Sequence, residues 1–344
     1  MKKVIIVGGG SAAWATAWQI LRSESVEEIQ VIHSGTVPII GTGEGATGSL
    51  DDIILRGDHK EFLEKTNSTV KLGILFENWQ GVGTSFNKYV DAWYYDARRK
   101  GKDIDVMYKI LDENIDTDDV SINAFLMKHG LQDFEEVKRH TFHFDGKNVG
   151  QFFKDRCLAS DKVTSIIDTI TDIEVNNGKV ISLHGEKDSY IADFYIDSTG
   201  FRRLFASFID HEFEPYEEWL DINGAVPFLL PQKDQAYTVS RAMKNGWMWE
   251  VPKTNNLGAG YNYSTKHISS DEVITEAQEY LGHDVEPIKV VEYTSGCYKK
   301  TAGPNYAFIG LSAGFIEPLE ATALHCSIYS AEELIKYFKG EKTL

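Results

Sequence analysis

The chain opens with a short run of β-branched residues, Val4–Val7, followed at once by the three glycines Gly8–Gly10. Beyond the glycines, the apolar residues recur at helical spacing, at Ala12, Ala13, Ala17, Ile20 and Leu21. A change from a continuous apolar run to a helical period predicts a buried strand, a tight turn and an amphipathic helix.

This strand–turn–helix presents backbone N–H groups and a helix N-terminus to a pyrophosphate. The candidate contacts are Gly8, Gly10, Ser11, Ala12 and Ala13. Ala13 takes the place of the third glycine, where only close helix–strand packing is needed. Because the turn directly follows a β-run, the pattern favours dinucleotide binding over a plain βα turn.

Three later segments bear on which dinucleotide is bound. Residues 29–33 read as a second parallel strand, which ends at His33 rather than at the acidic residue that often contacts the ribose. Asn177-Gly178 lies between two alternating runs and predicts a β-hairpin. A further apolar strand ends at Asp197 and turns at Gly200. A hairpin insertion followed by such a strand is typical of glutathione-reductase-type flavoproteins, so the pattern favours FAD over NAD.

These signals predict an α/β protein with the FAD-binding Rossmann-like fold of flavoprotein monooxygenases and with inserted substrate-side elements. We expect a single unit over residues 1–344, with FAD-binding segments at about 1–50, 145–225 and 295–340 and substrate-side segments at about 51–144 and 226–294. The apolar spacing also predicts helices over residues 59–78 and 322–338.

Charge and cysteine content narrow the class of protein. The net charge of −17 argues against binding to nucleic acid or to an anionic membrane. Cys157, Cys297 and Cys326 are widely spaced, so the sequence favours neither a disulfide framework nor a metal site. No stretch has membrane-spanning length and no signal peptide precedes the first strand, so we expect a cytoplasmic protein. The oligomeric state stays open, with a homo-oligomer among the alternatives.

Six motifs follow one another along the chain. They are Gly41–Glu44 (GTGE), Ser68–Trp79 (STVKLGILFENW), His143–Asp145 (HFD), Asp197–Arg202 (DSTGFR), Gly246–Pro252 (GWMWEVP) and Phe315–Ala323 (FIEPLEATA). In this order they resemble the motifs of the flavin-dependent tryptophan halogenases. The resemblance extends from residue 1 to about residue 338.

The resemblance implies a halogenase that acts on an electron-rich, indole-like aromatic substrate. Reduced FAD and oxygen would oxidise chloride, bromide or iodide to hypohalous acid. Lys71 would hold this oxidant, by a hydrogen bond or as a haloamine, and Glu320 would orient it or take the ring proton. A separate NAD(P)H-dependent flavin reductase would supply the reduced flavin, because the sequence carries no second nucleotide fingerprint.

The resemblance also assigns the other site residues. The halide would lie on the backbone N–H groups of Thr322 and Ala323. Trp247, Trp249 and Pro252 would line a tunnel between the flavin and the lysine. The remaining cofactor contacts implied by the motifs are Gly43, Glu44, Gly310 and Leu319, in addition to His33, Asp197 and Gly200.

Each of these residues also has a structural interpretation. Lys71 could be a solvated helix lysine, and Glu320 could cap the final helix. The family's usual serine is replaced here by Ala321. Family members that halogenate free tryptophan continue beyond the position of Leu344, and the sequence leaves three alternatives: an open site, a site closed by a partner, or an inactive one. Two alternatives remain: a related flavin monooxygenase or oxidase, and a non-catalytic FAD-binding protein.

Overall fold

The structure is a computed structural model that describes residues 1–36, 44–90, 112–113, 115–116, 121–131 and 140–343. Within these ranges the α-helices are α1 (Ser11–Ser23), α2 (His59–Thr66), α3 (Ile122–Lys128), α4 (Gly146–Leu158), α5 (Ser270–Leu281) and α6 (Thr322–Phe338). The strands are β1 (Lys3–Val7), β2 (Glu28–His33), β3 (Glu44–Gly45), β4 (Thr69–Lys71), β5 (Gly73–Glu77), β6 (Ser85–Tyr89), β7 (Thr141–Phe144), β8 (Val163–Ile167), β9 (Ile170–Asn176), β10 (Lys179–Gly185), β11 (Ser189–Tyr190), β12 (Phe194–Asp197), β13 (Phe213–Pro215), β14 (Gly224–Leu230), β15 (Tyr237–Ala242), β16 (Gly246–Pro252), β17 (Leu257–Tyr263), β18 (Val291–Glu292), β19 (Gly296–Tyr298), β20 (Ala302–Gly303), β21 (Tyr306–Phe308) and β22 (Gly314–Phe315).

The first sheet has the strand order β20-β21-β12-β1-β2-β8 and is parallel except at its β20 edge. Side chains of β1 alternate between two cores. Val4 and Ile6 pack with α1, α4 and α6, whereas Ile5 and Val7 pack with the strands β9 and β10. A parallel strand that is covered on both faces has a continuous apolar sequence, as the β1 segment does. The predicted α/β class is confirmed here.

The predicted hairpin joins β9 to β10. Asn177 and Gly178 form its turn, and both have positive φ, at 50° and 72°. Positive φ at both central residues is what a two-residue hairpin turn of this type requires, and Asn-Gly tolerates it best. The local sequence therefore sufficed to predict this element.

The helix predicted over residues 59–78 is wrong beyond its first half. Helix α2 ends at Thr66, and Asn67 follows in the left-handed region with φ 54°. The chain then forms β4, which pairs with β7, and β5, which pairs with β6 and runs parallel to β15. Pairing with distant segments overrides the local helical spacing. Val70, Leu72, Ile74 and Phe76 are all buried, and this period of two is the signal that would have predicted strands.

The second large sheet has the order β18-β14-β17-β16-β15-β5-β6. One face packs on α5, where Met248 and Tyr261 contact Val273 and Ala277. The opposite face carries most of the candidate substrate-side residues. The small sheet β3-β7-β4 contains Lys71 at the end of β4.

Helix α6 has the extent predicted from the sequence. It begins at Thr322 and ends at Phe338, and its apolar stripe packs into the same core as α1. The residue before it, Ala321, has φ 53°, which is uncommon for a residue with a Cβ atom. Among the helices of the described ranges, none combines the length and apolar composition needed to cross a bilayer.

Candidate active site

The turn between β1 and α1 leaves the helix N-terminus open. A Cβ atom on Gly8, which has φ 133°, would lie 2.2 Å from the carbonyl oxygen of Ser198, so only glycine allows this approach. Among the described residues, a Cβ atom on Gly10 would meet no atom within 4 Å, and no side chain caps α1. The first-turn N–H groups of Ser11, Ala12 and Ala13 are the kind of donors that bind a pyrophosphate.

Two further glycines bring other segments against this helix N-terminus. A Cβ atom on Gly150 of α4 would lie 3.4 Å from the backbone nitrogen of Ser11. Gly310 has φ 65°, and its Cβ atom would lie 3.4 Å from Cβ of Ala12 and 2.7 Å from Oγ of Ser327. Segments from three parts of the chain thus converge on the turn, and their geometry fits FAD.

Asp197 lies at the end of β12 and is fully buried. Its Oδ1 accepts hydrogen bonds from the backbone nitrogen and hydroxyl of Thr199 and from the Ser312 hydroxyl, and its Oδ2 accepts from the backbone nitrogen of Phe205. Burial raises the pKa of Asp197, and these hydrogen bonds oppose the rise. The carboxylate therefore fixes the turn that continues to Gly200, which has φ 66°.

The buried hydroxyl of Ser198 has no hydrogen-bond partner within the described ranges. It lies beside Gly8, since a Cβ atom there would be 3.4 Å from Cβ of Ser198. A buried polar atom without a partner is costly, and a polar ligand group at this turn would satisfy it. This observation also fits a bound dinucleotide.

Both ring nitrogens of His33 form hydrogen bonds within the protein. Its Nδ1 accepts from the backbone nitrogen of Gly35, so its Nε2 carries the proton and donates to Ser165 at 3.0 Å. Burial, followed by the nearby charge of Lys154, lowers the pKa of His33. The ring is neutral and packs edge-on against Trp14, and its predicted cofactor contact stays a prediction.

Gly43 lies outside the described residues, and the next residue, Glu44, begins β3. Glu44 keeps an exposed surface although many protein atoms surround its carboxyl group. This enclosure and the neighbouring Asp145 raise the pKa of Glu44 to about 7, and Lys253 opposes the rise. Glu44 therefore exchanges a proton near neutral pH, a property that the sequence did not predict.

Lys71 is buried, with 4% of its surface exposed, which excludes a solvated lysine on a helix. Its Nζ donates to the carbonyl oxygen of Ala46 at 3.4 Å. A Cβ atom on Gly45 would lie 2.6 Å from this Nζ and 3.6 Å from Cβ of Ala321, so Gly45 makes room for the ammonium. Burial lowers the pKa of Lys71 to about 8; Glu320 opposes this shift and Lys88 adds to it.

His143 lies behind Lys71 on β7 and is fully buried. The Thr69 hydroxyl donates to the carbonyl oxygen of Pro252, so it accepts from Nδ1 of His143, and Nε2 accepts from Thr238. Burial, with the charge of Lys71, holds the pKa of His143 well below its usual range. His143 is therefore neutral and supports β4 rather than acting as a base.

Glu320 lies on the loop that enters α6, and 41% of its side chain is exposed. Its carboxylate forms an ion pair with Lys88 of β6. Lys88 was not among the predicted site residues, because nothing in the local sequence links it to a residue so far along the chain. On the same loop, the backbone nitrogen of Leu319 donates to Glu317, and burial raises the pKa of Glu317 to about 6.

The N-terminus of α6 follows Glu320 directly. No side chain of the described ranges caps this helix, so within them the N–H groups of Thr322 and Ala323 lack the acceptor that a capping residue would supply. The positive φ falls on Ala321, and Ala323 has helical geometry. These two amides are arranged as an anion-binding site requires.

Aromatic side chains line the face of the large sheet that lies opposite α5. The strand register places Phe86, Phe76, Ser240, Trp249 and Gly260 in one row across five neighbouring strands. Phe76 and Phe86 stack with centroids 4.9 Å apart, and the indole of Trp249 occupies the space that a Cβ atom on Gly260 would fill.

Trp247 lies on the same face as Trp249. Their ring centroids are 6.2 Å apart, and Trp79 contacts Trp247 at 6.5 Å. Pro252 ends the strand and is tied to β4 through Thr69. The tryptophans therefore form an aromatic wall. Trp247 and Trp249 belong to β16, and the end of β16 is hydrogen-bonded to β4, the strand of Lys71.

Comparisons with known proteins assign the chain to a family. Residues 3–343 match the family model of the tryptophan halogenases. The chain belongs to the tryptophan halogenase family. Its members are flavin-dependent halogenases that use FADH2 and a halide, need a separate flavin reductase and act on aromatic substrates, as the sequence motifs implied.

Individual relatives of this halogenase are distant in sequence and similar in fold. The tryptophan 7-halogenase RebH of Lentzea aerocolonigenes is 26% identical, over 98% of this chain and 70% of the relative. The crystal structure of tryptophan 6-halogenase SttH from Streptomyces toxytricini has a TM-score of 0.83 and 25% identity, covering 98% of this chain and 72% of that one. A tryptophan halogenase from Shewanella frigidimarina gives a TM-score of 0.84 at 25% identity, covering 98% and 70%. These similarities confirm the predicted flavoprotein fold.

Proposed function

We propose that this halogenase delivers hypohalous acid from Lys71 to an electron-rich, indole-like aromatic ring, with Glu320 as the proton acceptor. The observation that carries the proposal is the position of the Lys71 ammonium. It is buried beside the open N-terminus of α6, with Glu320 on the neighbouring loop. A lysine that is held this way has little structural purpose, because burial of a charge opposes folding.

Reduced FAD, when bound, would supply the chemistry that converts oxygen and a halide to hypohalous acid. The residues assigned to hold it are Gly8, Gly10, Ser11, Ala12, Ala13, His33, Gly43, Glu44, Asp197, Gly200, Gly310 and Leu319. Among these, the α1 turn donates backbone N–H groups to the pyrophosphate. The amides of Thr322 and Ala323 hold the halide, and their helix N-terminus favours its negative charge.

Lys71 is suited to hold the oxidant because its pKa, lowered to about 8, makes both of its protonation states accessible near neutral pH. The ammonium donates a hydrogen bond to the oxygen of hypohalous acid. The neutral amine instead forms an N–halogen bond while the O–halogen bond breaks, and the amine proton leaves with the hydroxide as water. The halogen then passes to a ring carbon, Glu320 accepts the proton that this carbon loses, and the proton returns to the amine.

The aromatic wall positions the substrate and separates it from the flavin. Trp247 and Trp249 present flat apolar surface, and Pro252 ties the end of their strand to β4, so the wall and Lys71 keep a fixed spacing. Aromatic rings bind such surfaces by offset or edge-on contacts.

We also propose that the FAD-binding segments lie at about residues 1–50, 145–225 and 295–340, and the substrate-side segments between them. The first parallel sheet draws its strands from residues 3–33, 163–197 and 302–308, which supports this division. The reduced flavin comes from a separate NAD(P)H-dependent reductase in the cytoplasm, through transient encounters.

The test combines the purified protein with FAD, a flavin reductase, NADH, air and catalase. Indoles, phenols and pyrroles are offered with chloride, bromide or iodide, and products are identified by mass spectrometry. We expect a halogenated product that requires both the protein and Lys71. In parallel reactions without catalase, peroxide formation above that of a control lacking this protein, with no halogenation across the panel, would contradict the proposal and favour an oxidase or monooxygenase. An unchanged rate in Lys71→Ala would remove Lys71 from its assigned role.

A further inference from the structure

Lys88 lies on β6, the edge strand of the large sheet. In the β5–β6 pair it lies opposite Ile74, on the same face as Phe86 two residues earlier. Its carbonyl oxygen would lie 2.6 Å from a Cβ atom on Gly73, so the backbones of the two strands approach closely there. This packing fixes where the Lys88 side chain starts, although 57% of that side chain is exposed.

The ion pair between Lys88 and Glu320 joins two distant parts of the molecule. Lys88 belongs to the substrate-side sheet, and Glu320 to the loop that enters α6; the residues are 232 positions apart. An exposed ion pair contributes little to stability. Its effect here concerns position, because a second cation, Lys71, lies near the same loop. A Cβ atom on Gly45 would lie 2.6 Å from Nζ of Lys71 and 3.6 Å from Cβ of Ala321, the residue that follows Glu320.

Glu320 therefore has two competing lysine partners. In the structure its carboxylate is bound by Lys88, whereas Lys71 donates to the carbonyl oxygen of Ala46. A direct ion pair with Glu320 would stabilise the ammonium form of Lys71 and so disfavour the neutral amine that the proposed transfer uses.

We propose that Lys88 is a positioning residue that holds the Glu320 carboxylate away from Lys71, so that Lys71 and Glu320 act as separate groups. The effect of Lys88 on catalysis rests on the proposed function. The competition between Lys71 and Lys88 for Glu320 rests on the geometry alone. Lys88 itself lies outside the motifs that identify the family.

The electrostatics of Lys71 agree with this arrangement. Burial lowers its pKa, Glu320 raises it and Lys88 lowers it. The group facing Lys71 from β7 is His143, which is neutral, and the other acid on the Glu320 loop is Glu317. Removal of the Lys88 charge takes away a repulsion and also frees Glu320 to approach Lys71. Both changes raise the pKa of Lys71.

The test follows the ionisation of Lys71 directly. Lysine labelled with ¹³C and ¹⁵N is incorporated into the full chain, the Lys71 signal is assigned by its loss in Lys71→Arg, and its midpoint is measured by NMR between pH 6 and 11. Wild type is compared with Lys88→Met, Lys88→Arg and Glu320→Gln. The matched control is Lys299→Met, since Lys299 is similarly exposed and also pairs with a glutamate, Glu212.

We expect the midpoint of Lys71 to rise in Lys88→Met, on the order of one pH unit, and to fall in Glu320→Gln. Lys88→Arg and Lys299→Met should stay close to wild type. These opposite shifts distinguish positioning from a structural role, which would move both variants in the same direction. Equal midpoints in Lys88→Met and Lys299→Met would overturn the inference, and Glu320→Gln supplies an independent reading if Lys88→Met does not fold.

The catalytic consequence is read from the pH dependence of halogenation. If the titration midpoint of Lys71 rises in Lys88→Met, the pH–rate profile of halogenation should also shift to higher pH. The NMR titration needs neither flavin nor substrate. A protein that shows these NMR shifts but never halogenates would contradict the proposed function and leave the positioning role of Lys88 intact.

Discussion

Two buried ionisable side chains in this protein have opposite surroundings. Asp197, on the flavin side, accepts four hydrogen bonds from Thr199, Phe205 and Ser312. Lys71, on the substrate side, donates one hydrogen bond of 3.4 Å to Ala46 among the described contacts. Burial shifts the pKa of both groups, but a buried charge with several hydrogen bonds holds the backbone in place, whereas one with a single long hydrogen bond remains available for chemistry. The comparison separates a structural charge from a reactive one.

The largest expected effect is on activity and tests the reactive side of this comparison. Lys71→Met should lower the halogenation rate on the order of a thousandfold or more, because the group that holds the oxidant is lost. Its melting temperature should hold or rise, because an uncompensated buried charge is removed. Product formation and thermal unfolding measure the two effects.

Lys253 is the matched control for Lys71, since it is similarly buried but pairs with Asp145. Lys253→Met should lower the melting temperature, because it leaves that carboxylate without its partner. If Lys71→Met destabilised the protein as much as Lys253→Met, the distinction between structural and reactive charges would fail.

The pH dependence of stability sharpens the same contrast. The pKa of Lys71 is about 8 in the folded protein and about 10.4 when unfolded. Between these values the unfolded chain binds more protons, so the stability of wild type rises with pH relative to Lys71→Met. Below pH 8 the buried charge costs about 3 kcal/mol, a penalty that disappears as pH approaches 10.4. Urea unfolding of both proteins from pH 7 to 10 should show this convergence, and a constant difference would contradict it.

Asp197→Asn tests the structural side. An amide nitrogen would replace one oxygen that now accepts from backbone N–H groups, so we expect a loss of about 1–3 kcal/mol in the free energy of unfolding. Asp193→Asn is the control, because Asp193 accepts one exposed hydrogen bond from the backbone of Lys3. Similar losses in urea unfolding for both variants would show that the four buried hydrogen bonds of Asp197 are not what stabilises its turn.

The smallest expected effect concerns the packing of Trp249 in the aromatic wall. A Cβ atom in Gly260→Ala would lie 2.1 Å from the indole of Trp249, so the ring must move, at a cost of about 1 kcal/mol or more. Trp249→Phe should partly restore stability to Gly260→Ala, and a double-mutant cycle of unfolding free energies measures this coupling. Additive effects would mean that the two positions are independent.

The sequence predicted the elements that depend on local patterns. The β1–α1 turn, the Asn177-Gly178 hairpin and α6 all formed where turn residues and apolar spacing placed them. The helix over residues 59–78 was wrong because strand pairing with residues 141–144 and 237–241 decides that segment. Motifs also pointed to Lys71, but its burial depends on how β4 packs against other segments.

Two properties of the site lay outside the reach of sequence patterns. The Lys88–Glu320 ion pair joins residues on separate elements, so no spacing rule finds it. The pKa of Glu44 rises through its enclosure and its proximity to Asp145, which belongs to a different motif. Both properties depend on distances between elements, which only the folded chain defines.

Gly45 gives this enzyme a simple mutational route to altered chemistry. The atom that an alanine Cβ would displace is the far end of a flexible side chain, the Lys71 ammonium, while Ala321 is at ordinary contact distance. Gly45→Ala would therefore shift the Lys71 nitrogen and leave the backbone nearly unstrained. Glycine and alanine codons differ by a single base, so selection could adjust the reach of the lysine in one step without replacing it.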